Sequence, residues 1–233
     1  MATKTLSENI NQAISDFDGI KQAIIDKGVD VPSGTPTSQY SAKIGEIQSG
    51  GGGSDEEFIK MVERSATEIT LPSGLTKIRS YAFYQYTTLT SVEIPDSLTS
   101  IENYAFSRCM YLSITSLPDN ITTIGEYAFQ SCGKLALTSL PDSLTTISKY
   151  AFWGCPRLAI TSVPASVTSI GIYAFYNATF KEITFKGTPT SIGTAAFGGC
   201  TYLKTIRVPW SSGAVSGAPW GATKATIIYN YTE

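Results

Sequence analysis

The chain contains no histidine. That removes the side chain most often used as a general base near neutral pH and the commonest metal ligand. Charge of one sign is also missing, since 17 basic residues face 19 acidic ones. A balance of this kind offers no overall basic field to draw in nucleic acid or an anionic membrane. No apolar run approaches membrane-spanning length, and Met1 to Gln12 lacks the apolar core of a secretion signal. These features predict a protein that is neither membrane-inserted nor nucleic-acid-binding, and that is made in the cytosol. Gly50–Gly53 follows no strand pattern and precedes no phosphate-loop Lys, so it reads as a tether and not as a nucleotide cradle.

What is present is periodicity. Tyr-Ala-Phe occurs at Tyr81–Phe83, Tyr104–Phe106, Tyr127–Phe129, Tyr150–Phe152 and Tyr173–Phe175, with a degraded copy at Ala195–Phe197. The phenylalanines are 23, 23, 23, 23 and 22 residues apart. A fixed period of this length marks a solenoid, in which each coil buries its apolar face only against its neighbours. Most coils open on an aliphatic-Pro pair such as Ile94-Pro95 or Leu117-Pro118. Three residues after the Pro stands an aliphatic (Leu98, Ile121, Leu144), then a Thr (Thr99, Thr122, Thr145), and two residues further an Ile (Ile101, Ile124, Ile147). Equivalent residues then stack at about the 4.8 Å inter-strand spacing. The expectation is an interior of aliphatic and Phe columns, a Thr column that chains hydroxyls, and Pro ending each strand. Tyr reads as a wall residue with a packed ring and a wet hydroxyl.

The segment before each Pro varies. Leu89 to Ile94 places Leu, Val and Ile inward with polar residues between. In the next three coils the same alternation turns Thr115, Thr138 and Thr161 inward and Ile114, Leu137 and Ile160 outward. Either a bulge returns the aliphatic residues to the core, or an apolar stripe faces water. Cys109, Cys132, Cys155 and Cys200 share one column, three residues past the Phe. A line of thiols cannot make zinc's tetrahedron, and parallel Cβ vectors are poorly aimed for disulfides. Buried reduced thiols are expected. Asp96, Asp119 and Asp142 follow the Pro and read as turn residues, not as a Ca²⁺ site. No catalytic residue, cofactor site or metal site is expected.

Ahead of the repeats, Thr5 and Glu8 form a capping-box pattern. Ile10, Ala13, Phe17, Ile20 and Ile24 recur at alternating three- and four-residue steps, which predicts a helix with one apolar stripe, ended by Gly28 and Pro32. Heptad spacing makes these five residues candidates for oligomerisation or anchoring, and apolar residues at both seam positions favour a homotrimer. The expected organisation is a helical segment over 1–49, a linker over 50–54, a capped solenoid over 55–209 and a C-terminal cap over 210–233.

The repeat xP-x-x-[LIV]-T-x-I-x-x-Y-A-F-x-x-C-x-x-L resembles the BspA-like leucine-rich repeat family over about residues 68–209. The resemblance implies an α/β fold: a right-handed leucine-rich-repeat solenoid with a parallel β-sheet in about six 23-residue coils, after an N-terminal helical segment. It also implies adhesion and brings no catalytic residue. The flanks, Leu6 to Ile47 and Val208 to Tyr231, look like those of bacteriophage tail and fibre-type structural proteins. Together these imply a non-enzymatic virion protein that contacts other virion proteins through its N-terminal helices. Its solenoid would bind a host-surface protein or glycan. Alternatives are a virion decoration protein without a receptor and a bacterial surface adhesin. The candidate binding surface is the set of positions that vary between matched coils: Tyr84, Trp153 and Tyr176 one residue past the Phe, and Tyr111, Lys134, Arg157, Phe180 and Tyr202 five residues past it.

Overall fold

The computed structural model describes residues 66–71 and 73–232. The chain divides into two compact units, 1–66 and 67–233. The expected N-terminal helix, its stripe Ile10, Ala13, Phe17, Ile20 and Ile24, and the linker lie outside the described residues. Every regular element described is a strand, so the α/β label does not hold for this part of the chain. In order they are β1 (Glu68–Thr70), β2 (Lys77–Ile78), β3 (Ser91–Glu93), β4 (Ser100–Ile101), β5 (Thr123–Ile124), β6 (Thr146–Ile147), β7 (Ser162–Val163), β8 (Ser169–Ile170), β9 (Glu182–Phe185), β10 (Ser191–Ile192), β11 (Thr205–Arg207) and β12 (Thr226–Ile228).

All pairings are parallel. They make a six-stranded sheet β2-β4-β5-β6-β8-β10, a four-stranded sheet β7-β9-β11-β12 and a two-stranded sheet β1-β3. Sequence reasoning placed a strand only before each Pro. The longest sheet is instead built from the Thr-x-Ile segments, two residues per coil. A β-turn launches β4, β5, β6 and β8, as where Leu98 N donates to Pro95 O at 3.0 Å and Leu144 N to Pro141 O at 3.0 Å. The Thr hydroxyls do not chain to one another. Each donates to the carbonyl of the Thr one coil back, as Thr99 does to Thr76 O (3.0 Å) and Thr145 to Thr122 O (3.0 Å).

The Tyr-Ala-Phe wall closes its hydrogen bonds without a strand or a helix. In the third coil Tyr127, Phe129 and Ser131 N–H groups donate to Lys149, Ala151 and Trp153 carbonyls in the next coil at 3.0, 2.8 and 2.7 Å. The intervening Ala128, Gln130 and Cys132 N–H groups bond three residues back within their own coil. In the first five coils every donor along this wall is satisfied, alternately outward along the axis and locally. The local turns need a positive φ at their third residue. Tyr81, Tyr104, Tyr127, Tyr150 and Tyr173 supply it at 63°, 57°, 57°, 57° and 56°. A second such position lies two residues past the Phe and is Gly154 or Gly199 in two coils (φ 70° and 67°), where no side chain opposes the conformation.

The interior follows the columns. Phe106, Phe129, Phe152, Phe175 and Phe197 are fully buried, and the six-membered ladder from Phe83 stacks at 5.1 to 5.5 Å with planes within 9°. Ile114, Leu137 and Ile160 are buried, while Thr115, Thr138 and Thr161 are exposed. The bulge alternative therefore holds. In coils ending on Ile94 or Val208 the extra residue precedes the central aliphatic; in the three middle coils it follows it. The ladder registers this shift: on this wall no strand forms over 112–117 or 135–140, although Ser113 N still reaches Thr90 O at 2.8 Å and Ala159 N reaches Leu137 O at 2.9 Å.

Residues past Val208 close the C-terminal end. Trp220 is buried, its carbonyl accepts from Phe197 N at 3.0 Å, and its indole N–H donates to Ser216 O at 2.7 Å. Trp210 packs edge-on against Phe185 and Trp220 at 5.2 and 6.3 Å. β12 then pairs with β11 and completes a seventh turn. An end coil must cover the last core layer, and these tryptophans do so with large apolar area.

Candidate partner-binding surface

Four coils turn a corner between Cys and Leu. Leu112 N donates to Cys109 O, Leu135 N to Cys132 O, Leu158 N to Cys155 O and Leu203 N to Cys200 O, all between 3.1 and 3.2 Å. Both ends of this turn are buried, so its two central residues stand at the tip. They are Met110-Tyr111, Gly133-Lys134, Pro156-Arg157 and Thr201-Tyr202. Tyr111 and Tyr202 are 54% and 61% exposed, Arg157 is exposed and Lys134 half-buried. These four predicted residues form one row along the solenoid.

Phe180 does not belong to it. It is buried at 6% exposure and meets Phe175 and Phe197 edge-on at 6.0 and 6.2 Å. The fifth coil is one residue short, so Phe180 occupies the core position held by Leu in the other coils, and Thr179 is left at the tip. The 22-residue spacing between Phe175 and Phe197 was the signal that shows this slip.

Tyr84, Trp153 and Tyr176 fall on a different wall and are half-buried. Trp153 stacks on Tyr176 at 6.5 Å, and Tyr84 meets Tyr81 edge-on at 5.6 Å. They flank a tyrosine ladder that periodicity alone did not reveal as such. Tyr81, Tyr104, Tyr127, Tyr150 and Tyr173 stack in one file with centroids 4.8, 4.6, 4.6 and 5.2 Å apart. Partial desolvation raises the Tyr104 and Tyr127 pKa values, followed by the neighbouring phenols and Glu126. Burial thus keeps the Tyr104 and Tyr127 phenols protonated. The left-handed backbone costs about 1–2 kcal/mol per Tyr, and each stacked pair returns about 0.5–1.5 kcal/mol. Each stack is shared by two rings, so five tyrosines and four stacks set about 5–10 kcal/mol of strain against about 2–6 kcal/mol of stacking, and the ladder offsets part of its own strain.

The cysteines are buried, and none forms a disulfide. Each S–H donates to the Phe carbonyl one coil back: Cys109 to Phe83, Cys132 to Phe106, Cys155 to Phe129 and Cys200 to Phe175, at 2.9 to 3.1 Å. Burial pushes Cys155 and Cys200 up to about 12 and Cys132 well above its usual value. Protonated donors of this kind are structural, not nucleophilic. Asp96, Asp119 and Asp142 are exposed in the turns after Pro.

Residues 58–179 and 168–216 match the BspA type leucine rich repeat region in six copies. The chain belongs to this family. No curated protein matches it. Among solved structures it is similar to the leucine rich repeat protein TpLRR of T. pallidum (25% identity, 71% of this chain and 70% of that one, TM-score 0.46). It is also similar to a leucine-rich repeat protein from Bacteroides ovatus (25%, 71% and 56%, TM-score 0.41). The pneumococcal vaccine antigen PcpA is similar in fold (21%, 72% and 42%, TM-score 0.50). The chain thus spans 56% of the Bacteroides ovatus protein's length and 42% of PcpA's. The matched segments are repeat, and residues 1–57 and 217–233 lie beyond them.

Proposed function

We propose that the chain is a non-enzymatic attachment protein of the bacterial cell surface, whose turn tips recognise a macromolecule on another surface. The observation that carries this reading is the row Tyr111, Lys134, Arg157 and Tyr202, which stands on a rigid interior and has no packing duty of its own. Aromatic and Arg side chains dominate recognition energies, and a stack of coils holds them in fixed register. Membership of a repeat family with BspA-type units supports the same class.

A second reading keeps the binding face and places it on a phage particle. It rests on the resemblance of Leu6 to Ile47, with the Ile10, Ala13, Phe17, Ile20 and Ile24 stripe joining three copies or docking on virion partners. Light scattering of the full chain and of Phe17→Asp separates the two: a trimer that the substitution dissolves favours the particle.

The shared claim is tested with fluorescently labelled chain on intact bacterial and animal cells. Saturable binding is expected, and a Tyr111→Ser/Arg157→Ser/Tyr202→Ser variant is expected to lose at least about tenfold in affinity, a loss typical of an interface centre. Unchanged binding by that variant would remove the tips from the site. Absence of saturable binding to any cell would end the attachment reading.

A further inference from the structure

The balanced total charge conceals a local split. Beyond Asp142 the only carboxylate among the described residues is Glu182, and Arg207 engages it at 2.7 Å. Cations in the same part of the solenoid go unanswered. Lys134 and Arg157 occupy the tips of consecutive coils. Lys181 and Lys204 continue the line on the next two coils, just past the core residues Phe180 and Leu203, and Lys204 N donates to Lys181 O at 2.8 Å. That places two ammonium-bearing residues directly above one another. Like charges opposed across a parallel pairing are unfavourable, and no ion pair relieves any of the four among the described residues.

The surroundings of this line are those of a sugar-binding strip. Tyr111 lies at one end and Tyr202 beside the other, both well exposed. Thr115, Thr138 and Thr161 are exposed on the adjoining wall, on three successive coils. Hydroxyls, two aromatic faces and one cation per coil at a spacing of about 4.8 Å suit a linear chain of rings carrying repeated anionic groups. A single-stranded nucleic acid asks for something else, an aromatic platform for successive bases in a basic groove. Here the aromatics stand only at the ends of the row.

We propose that Lys134, Arg157, Lys181 and Lys204 bind an anionic polysaccharide laid along the solenoid axis, its sulfate or carboxylate groups meeting one cation per coil. The proposal rests on the attachment reading above and names the partner class of that face. Lys149 is the internal control, because it sits off the strip beside Glu126 at 3.7 Å.

The test titrates the full chain with heparin (sulfated), polygalacturonate (carboxylate only), neutral dextran and a single-stranded oligonucleotide. Saturable binding to heparin, polygalacturonate or both identifies the anionic group used, and dextran is expected not to bind. The affinity should fall with salt, with a log–log slope of about three for four released counterions. Lys181→Gln/Lys204→Gln should weaken binding at least tenfold and reduce the slope by about half, with the circular dichroism spectrum unchanged. Lys149→Gln should leave affinity as it was. Three results overturn the proposal: no saturable binding to either anionic polysaccharide, an equal loss with Lys149→Gln, or oligonucleotide binding as tight as that of the best polysaccharide. If labelled chain still binds cells saturably and those cells' sites ignore added polysaccharide, this inference fails while the attachment reading stands.

Discussion

Substitution of Tyr127 by Gly should destabilise the protein less than substitution by Ala, the reverse of the usual order. Tyr127 lies in the middle of the ladder at φ 57°, stacked at 4.6 Å on both Tyr104 and Tyr150. Removing the ring forfeits two stacked pairs, about 1–3 kcal/mol in all, and this loss is common to both variants. They differ in backbone. Ala keeps a Cβ in the left-handed region at about 1–2 kcal/mol, whereas Gly is free of that term but loses about 0.5–1 kcal/mol more unfolded-state entropy. The difference favours Gly by about 0.5–1 kcal/mol. Ala151, fully buried and without a positive φ, supplies the contrast: Ala151→Gly loses both the entropy term and a buried methyl worth about 0.8 kcal/mol. Urea unfolding of the full chain measures all three, with the m-value held as the check on a common unfolded state. Tyr127→Ala equal to or more stable than Tyr127→Gly would refute the strain assignment and the view that stacking offsets it.

Two further perturbations test the stacking directly. A Cβ added at Gly171 would lie 2.4 Å from Lys149 N and 2.6 Å from Ser148 C, both backbone atoms of the preceding coil; Gly171→Ala should therefore cost about 1–3 kcal/mol in urea unfolding, while Gly133→Ala, whose nearest atom is Met110 O at 3.2 Å, costs visibly less. The thiols should make stability fall in alkali: Cys155 and Cys200 titrate from 9.0 unfolded to about 12 folded. Between these values the unfolded state holds fewer protons than the folded one, so their stabilisation, complete below pH 9, is lost as pH rises towards 12, by about 1.4 kcal/mol per unit for each thiol. Unfolding midpoints of the wild type and of Cys155→Ala/Cys200→Ala across pH 8 to 11 check this, and parallel curves would show that the thiols do not contribute.

The interior was legible because its chemistry repeats in register. Phe, Ala, Ile and Cys columns could be read directly from the period, and the bulge around Ile114, Leu137 and Ile160 was the one alternative that kept three aliphatic residues from water. What escaped the reading is conformational. Nothing in the letters Tyr-Ala-Phe signals a left-handed Tyr, since the usual marks of that region are Gly and Asn. The clue lay elsewhere, in the Gly154 and Gly199 variants of the second positive-φ column. The Thr-x-Ile sheet was missed because two-residue strands carry no alternation to detect. Phe180 was misplaced because counting from Phe175 ignored the missing residue, although a large apolar side chain one step before an expected Leu is the mark of such a deletion.

That deletion bears on function as well as on packing. In four coils the Cys-to-Leu turn, and in the first the Tyr86-to-Leu89 turn, separates two buried anchors by two residues, and the side chains at the tip can change without disturbing the core. In the fifth, Ala178 and Phe180 are the anchors and only Thr179 remains between them, with its hydroxyl turned back to the carbonyl of Pro156. The row of tips is therefore interrupted between Arg157 and Tyr202, and the cation of that coil is Lys181, just past the core residue, as Lys204 is in the next coil. A ligand lying along the solenoid must step sideways at this coil or meet a gap there. Restoring the missing residue, with Phe180 becoming tip and a Leu inserted after it, would straighten the row of tips and leave Lys181 directly after the core residue, in register with Lys204. Affinity for an extended ligand should therefore rise if the tips carry the contact and stay unchanged if the cations alone do, since the insertion fills the gap between Arg157 and Tyr202 without moving the line of charges.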